Sequence, residues 1–150
     1  LNMTRGLIFS QEVMLELTKA GISREKAYKI VQGHAKKSLL NKISLINLIK
    51  TDKIIMNKIK IYDASKIMWN AIKNEELINS LPKKLIPKSK KEAYEIQKTY
   101  KSFTNFEHIG YKIAATSIDG QKHINVSGPI LGMLFKHNVY SNNDTINFTN

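Results

Sequence analysis

Cysteine is absent from the 150 residues, which excludes disulfides and thiolate metal sites, so neither stability nor chemistry rests on sulfur redox. No apolar run approaches the roughly 20 residues of a membrane span. The opening Leu1-Asn2-Met3-Thr4-Arg5 lacks the basic region and apolar core of an export signal. A soluble cytoplasmic protein is the expectation, and Asn125-Val-Ser, Asn143-Asp-Thr and Asn147-Phe-Thr read as chance matches to the glycosylation pattern. Also missing are a glycine-rich phosphate loop, a nucleophile elbow and a pair of histidines at metal-binding spacing.

Acidic residues and arginine are scarce too. Lysine and arginine total 24 against 12 acidic residues, a net charge of +12, yet only Arg5 and Arg24 are arginines. Such a balance invites a nucleic-acid reading, because lysines displace phosphate counterions. Base readout and bidentate phosphate contacts favour arginine, however. Lysine, isoleucine and asparagine are over-used together along the whole chain, as an AT-rich coding sequence would produce. The clusters Lys36-Lys37, Lys83-Lys84 and Lys90-Lys91 form no continuous stripe. Nucleic acid is therefore disfavoured, and solvated lysine faces are the plainer reading.

What is present is helical periodicity, giving way to alternation. Leu7, Ile8, Val13, Met14, Leu15 and Leu17 suit a helix up to Lys19, ended by Gly21. Ser23 caps the next helix, from residue 24 to about 38, with Glu25 in its first turn and Ala27, Ile30, Val31 and Ala35 as its stripe. Leu39 to Ile61 predicts one or two shorter helices interrupted near Thr51-Asp52, and Asp63 predicts the cap of another carrying Ala64, Ile67, Met68, Ala71 and Ile72, with Trp69 as anchor. Pro82 and Pro87 bracket an extended connector, and Ser89-Lys-Lys-Glu92 is a capping box for a helix to about Phe103. After Gly110 the period becomes two: Tyr111, Ile113 and Ala115 on one face, Lys112, Ala114 and Thr116 on the other. Asp119-Gly120 predicts a turn and His123 to Val126 a second strand before Gly128-Pro129.

Two sets of words carry family resemblances. Thr4-Arg-Gly-Leu-Ile-Phe-Ser-Gln11, Gly21-Ile-Ser-Arg-Glu-Lys-Ala-Tyr28 and Ile30-Val-Gln32 resemble the C-terminal domain of adenylosuccinate lyase, over residues 4 to about 50. That family eliminates fumarate from adenylosuccinate and a related intermediate of purine biosynthesis. The resemblance implies a helical cap that packs within an oligomer. The family's acid histidine and mobile serine loop lie earlier than this segment, so Ser10, Gln11 and His34 are not promoted to catalysts, and His34 reads as an ordinary helix residue.

Ala64 through Trp69-Asn-Ala71, Glu92-Ala-Tyr-Glu-Ile-Gln97, Gly110-Tyr-Lys-Ile-Ala-Ala-Thr-Ser117, Gly120-Gln-Lys-His-Ile124 and Gly128-Pro-Ile-Leu-Gly132 resemble the front of 2-keto-4-pentenoate hydratase, in the fumarylacetoacetase-like superfamily. These enzymes add water to a 2-hydroxy-dienoate with a carboxylate-held Mg or Mn ion. The family's metal ligands lie later than this segment, so no complete cofactor site is expected. Two readings of Lys112 stand side by side: a solvent-facing strand lysine, or, as the resemblance implies, a catalytic cation that stabilises an enolate or moves its proton. Thr116 and Ser117 are candidate donors to a substrate carboxylate, or turn formers. Gly128, Pro129 and Gly132 shape the backbone, His123 is structural, and Glu75-Glu76 is a surface acidic pair.

The sequence thus predicts a mostly α N-terminal half, residues 1–60, built as a helical hairpin plus short helices, then an α+β fragment with a truncated sheet over 61–150. The function it implies is a fragment or fusion of a lyase tail and a hydratase front, inactive alone, with a small-molecule substrate only in an intact version; the alternatives are an interaction module docking onto intact lyase subunits, or lysine-driven nucleic-acid binding. Homo-oligomers or lyase subunits are the expected partners. An exposed strand edge and apolar surface are expected in the second half.

Overall fold

The computed structural model describes residues 6–146, so Thr4, Arg5 and the Asn147-Phe-Thr motif lie outside it. The described residues form six α-helices and one two-stranded antiparallel sheet, mostly α followed by α+β as expected. They divide into two compact units, one ending at Phe103 and the other starting at Thr104. The boundary read from the sequence at residue 60 falls inside a helix.

In the first unit a 3-10 turn at Leu7–Phe9 leads into α1, Ser10–Lys19. Gly21, at φ 82°, ends α1 in a left-handed residue: its N–H bonds to the Thr18 carbonyl at 3.0 Å, and the Ile22 N–H reaches Leu17 at 3.0 Å. This pair of bonds is the Schellman closure, and Leu17 and Ile22 then meet in the core. Ser23 Oγ accepts from the Lys26 N–H and starts α2, Arg24–Asn41. That helix runs past residue 38 because Ser38, fully buried, donates 2.5 Å to the Ile43 carbonyl and so satisfies the corner beyond the helix end.

Helix α3, Leu45–Thr51, and helix α4, Lys53–Lys73, are separated by one residue, Asp52, whose Oδ1 accepts from the N–H groups of Ile54 and Ile55 at 2.9 and 3.2 Å. The break near Thr51-Asp52 is where the sequence puts it. Asp63 is not a cap: it lies exposed within α4. No glycine or proline interrupts the chain between the two aspartates, so once Asp52 nucleates the helix nothing stops it at Asp63.

That uninterrupted α4 serves two cores. Ile55 joins Leu17, Ile22, Ala27, Val31, Leu45 and Ile49 in the first. Ile61 and Ala64 join Leu85 and Ile96 in the second, with Ile67, Met68 and Leu81 packed on them. Helix α4 ends with Glu75 at φ 55°, whose neighbour Glu76 returns its N–H to Ala71 at 2.8 Å. The acidic pair therefore forms a helix closure normally given to glycine. After the connector, helix α5, Lys90–Lys101, begins as the capping box requires, with Ser89 Oγ accepting from the Glu92 N–H. The Glu92 carboxylate instead takes the Lys88 N–H at 2.6 Å and the Lys60 ammonium at 2.7 Å. Trp69 meets Tyr100 edge-on at 5.6 Å, and Ser65 Oγ, fully buried, bonds across to the Ile96 carbonyl at 2.8 Å.

In the second unit β1, His108–Ala114, pairs with β2, Ile130–Phe135, Tyr111 lying opposite Met133 and Lys112 opposite Gly132. Between them Ile118–His123 is a short helix, α6, and the expected strand at 123–126 is absent. Ser117 accepts from the Gly120 N–H and opens that helix, and Asn125 in the left-handed region closes it. A four-residue alternation is too short to outweigh a capped helical turn. The Asp119-Gly120 turn accordingly lies inside α6, and the second strand comes from the later apolar run. Tyr111, Ile113 and Leu131 remain exposed, the uncovered apolar sheet that the sequence implies.

Candidate functional site

Helical spacing brings the lyase-like words together. Ser10, Gln11 and Met14 on α1 face Tyr28, Val31, Gln32 and Ala35 on α2 across an open groove of ≈ 310 Å³. The α2 residues recur at intervals of three and four, one face of that helix. Ser10 donates its hydroxyl to the Leu7 carbonyl, so it is engaged in the entry turn. The groove holds amide, phenol and apolar groups but no carboxylate, histidine or lysine. Its chemistry suits surface recognition.

His34 is more than an ordinary helix residue. Its Nε2 lies 2.9 Å from Asp52 Oδ2, with side-chain exposures of 14% and 23%. Burial opposes the Asp52 charge, but hydrogen bonds from His34 and the Ile55 and Ile54 N–H groups outweigh it, holding the carboxyl below its usual range. The buried Nδ1 of His34 has no hydrogen-bond partner. The sequence hides this pair because its members are 18 positions apart and meet only when the α3–α4 break turns back onto α2.

In the second unit Lys112, Thr116 and Ser117 are all exposed. Lys112 stands on β1 with no carboxylate partner among the described residues. Ser117 is engaged locally, accepting from the Gly120 N–H at 3.1 Å. The acidic side chains nearby do not assemble: Glu107 pairs with Lys136 at 3.1 Å, Asp119 lies 3.8 Å from Lys122, and Asp144 accepts from the Ser141 N–H. Among the described residues no three His, Asp or Glu side chains group where they could hold a metal ion, so this donor set does not fit Mg or Mn. Likewise no described helix is long and apolar enough to cross a membrane.

The helices from α1 through most of α4 have recognisable relatives. Residues 6–71 are similar to the adenylosuccinate lyase C-terminus. A family model of that description matches this span, from the entry turn almost to the end of α4. Adenylosuccinate lyase of Helicobacter pylori is 57% identical over 37 residues, 25% of this chain and 8% of that protein. The Archaeoglobus fulgidus enzyme is 37% identical over 60 residues, 40% of this chain and 14% of that protein. For Thermotoga maritima the figures are 47% over 38 residues, 25% and 9%. The chain thus spans 8 to 14% of the length of these relatives. No solved structure matches it.

Proposed function

We propose that the lyase-like segment is a docking unit that packs against adenylosuccinate lyase subunits through the α1–α2 groove. The observation that carries this is the convergence of Gln11, Tyr28 and Gln32, drawn from separate words of the resemblance, onto one uncharged face. A face of amide, phenol and apolar groups with no charged side chain has much to offer a hydrogen-bonding protein surface. Co-purification of the chain with the Helicobacter pylori lyase tests it. The complex should co-elute, and Tyr28→Lys should abolish it by placing an unpaired charge in the interface. Failure of the unmutated chain to bind would overturn the reading.

The second segment has a proposed origin in the 2-keto-4-pentenoate hydratase group, so that the chain joins pieces of two metabolic enzymes. What supports this reading is the order of the hydratase-like words; Lys112 itself, exposed and with no carboxylate partner among the described residues, is equally what a solvent-facing strand lysine shows. In it Lys112 would meet the developing enolate, and Thr116 and Ser117 the substrate carboxylate. With no carboxylate cluster among the described residues to hold a divalent ion, the chain alone should leave 2-hydroxy-penta-2,4-dienoate unchanged in the presence of Mg or Mn. It should likewise leave adenylosuccinate intact. Turnover of either, followed by ultraviolet absorbance, would refute the view that the chain is inactive alone.

A further inference from the structure

Helix α4 carries a second feature that the lyase resemblance does not explain. Lys53, Met56, Asn57, Lys60 and Asp63 recur along one side of α4 and form one wall of an open cleft of ≈ 540 Å³. Lys84, Leu85, Lys88 and Glu92 form the other. The matched lyase segment ends at residue 71, so the second wall lies beyond it and the cleft is a property of this chain. A smaller cleft of ≈ 370 Å³ continues from it, sharing Asp63, Lys84 and Leu85 and adding Lys66.

The floor is fixed. Lys60 and Glu92 pair at 2.7 Å with side-chain exposures of 15% and 12%. Glu92 also holds the Lys88 backbone N–H, so one carboxylate ties α4, the connector and α5 together. The Lys60 hydrogen bond, then the Lys88 N–H, keeps the Glu92 carboxyl below its usual range, and the Lys60 and Lys88 charges add to the effect. Leu85, 5% exposed, and Ile59 supply apolar surface beneath. On the rim the picture reverses. Lys53, Lys84 and Lys88 are exposed; Lys53 and Lys84 have no carboxylate partner among the described residues, the Lys88 ammonium acts on the Glu92 charge, and Asp63 is the other acid among the lining groups. The lining as a whole sets four ammonium groups, Lys53, Lys60, Lys84 and Lys88, against two carboxylates, Asp63 and Glu92.

From this charge balance over an apolar floor, we infer that the cleft binds a small phosphate ester carrying an apolar body. A cleft of this size is in the range of about 300–1,000 Å³ that takes such ligands. Lysine selects the headgroup: three separate, rotatable ammonium groups suit the several directions of a tetrahedral phosphate, whereas a planar carboxylate is best met by the arginine fork that is absent here. Leu85, Ile59 and the Met56 side chain take the body.

The test uses the full chain with phenyl phosphate, inorganic phosphate and phenol, titrated by amide NMR. Phenyl phosphate should saturate and shift amides of residues 53–63 and 84–92, with inorganic phosphate weaker by about fivefold or more and phenol weaker still, since each probe lacks half of the match. Removing the three rim charges together, Lys53→Gln, Lys84→Gln and Lys88→Gln, should weaken phenyl phosphate by about tenfold or more. Removing three exposed charges elsewhere, Lys36→Gln, Lys37→Gln and Lys73→Gln, should change it less than about twofold. Equal loss in both triple variants would mean diffuse attraction to a cationic protein and would overturn the site. So would the absence of saturation below about 10 mM. Neither result bears on lyase docking, which rests on residues of α1 and α2 that do not line this cleft.

Discussion

The unit ending at Phe103 and the unit starting at Thr104 solve the same problem with different means. The first buries Leu17, Leu45 and Ile55 almost completely and threads one helix through two apolar clusters. The second has Phe135 as its buried apolar residue among those described and leaves Tyr111, Ile113, Ile118 and Leu131 open. Two strands cannot cover both of their faces, and a hairpin-sized sheet gains marginal stability in water. The difference teaches that the helical unit is held by packing and the sheet unit by its backbone bonds, by rings such as His108 against Tyr111 at 4.7 Å, and by local caps.

The largest expected contrast comes from truncating side chains. Leu45→Ala or Ile55→Ala should cost about 2–5 kcal/mol in urea unfolding, since each leaves a cavity, whereas Leu131→Ala, at a site 41% exposed, should cost under about 1 kcal/mol. Comparable costs would erase the distinction between the units. Caps come next. Asp52→Ala removes two backbone acceptor contacts and the His34 partner and should cost about 2 kcal/mol, while Ser117→Ala, on a six-residue helix, should cost about 0.5–1 kcal/mol.

Acidity offers a subtler probe of the same contrast. Asp52 and Glu92, both in the first unit, have lowered pKa values in the folded state. A lowered folded pKa means the unfolded chain binds the proton more readily. These two groups therefore stabilise the fold above the ordinary carboxylate pKa and lose that contribution as pH falls through the folded values. Thermal melts between pH 7 and pH 3 should show this loss, and Asp52→Asn with Glu92→Gln should flatten it. An unchanged pH profile in the double variant would show that neither carboxylate carries the linkage. The smallest effect concerns backbone strain: Glu75 in the first unit and Ala115 in the second sit at φ 55° and 54°. Glycine at either should raise stability by up to about 1 kcal/mol, relief of the left-handed strain exceeding the added chain entropy. A loss of stability in either variant would show that the side chain matters more than the dihedral.

Much of the helical unit is legible from residues alone because its signals are local. Gly21, Ser23 and Ser89 end or start helices by satisfying backbone groups a few positions away. Asp63 misleads for the same reason: it has the chemistry of a cap but no chain break before it, and α4 is kept whole by packing on both clusters. The segment at 118–126 misleads because a weak alternation competes with a local cap, and the strand forms instead where β1 finds a longer apolar partner at 130–135. Lys112, Thr116 and Ser117 are visible as words, and the fold leaves all three exposed on one short stretch. The His34–Asp52 pair and the Lys60–Glu92 pair give no signal, being separated by 18 and 32 positions.

The sequence by itself determines the lysine-rich surface, the lack of sulfur chemistry, the helical hairpin and the lyase-like words, because composition, capping and period are properties of neighbouring residues. Tertiary structure alone decides which of those words share a groove, which carboxylates are consumed by buried partners, and which lysines are left facing a cleft. Charge and hydrogen bonding act across space, and only the folded chain sets those distances.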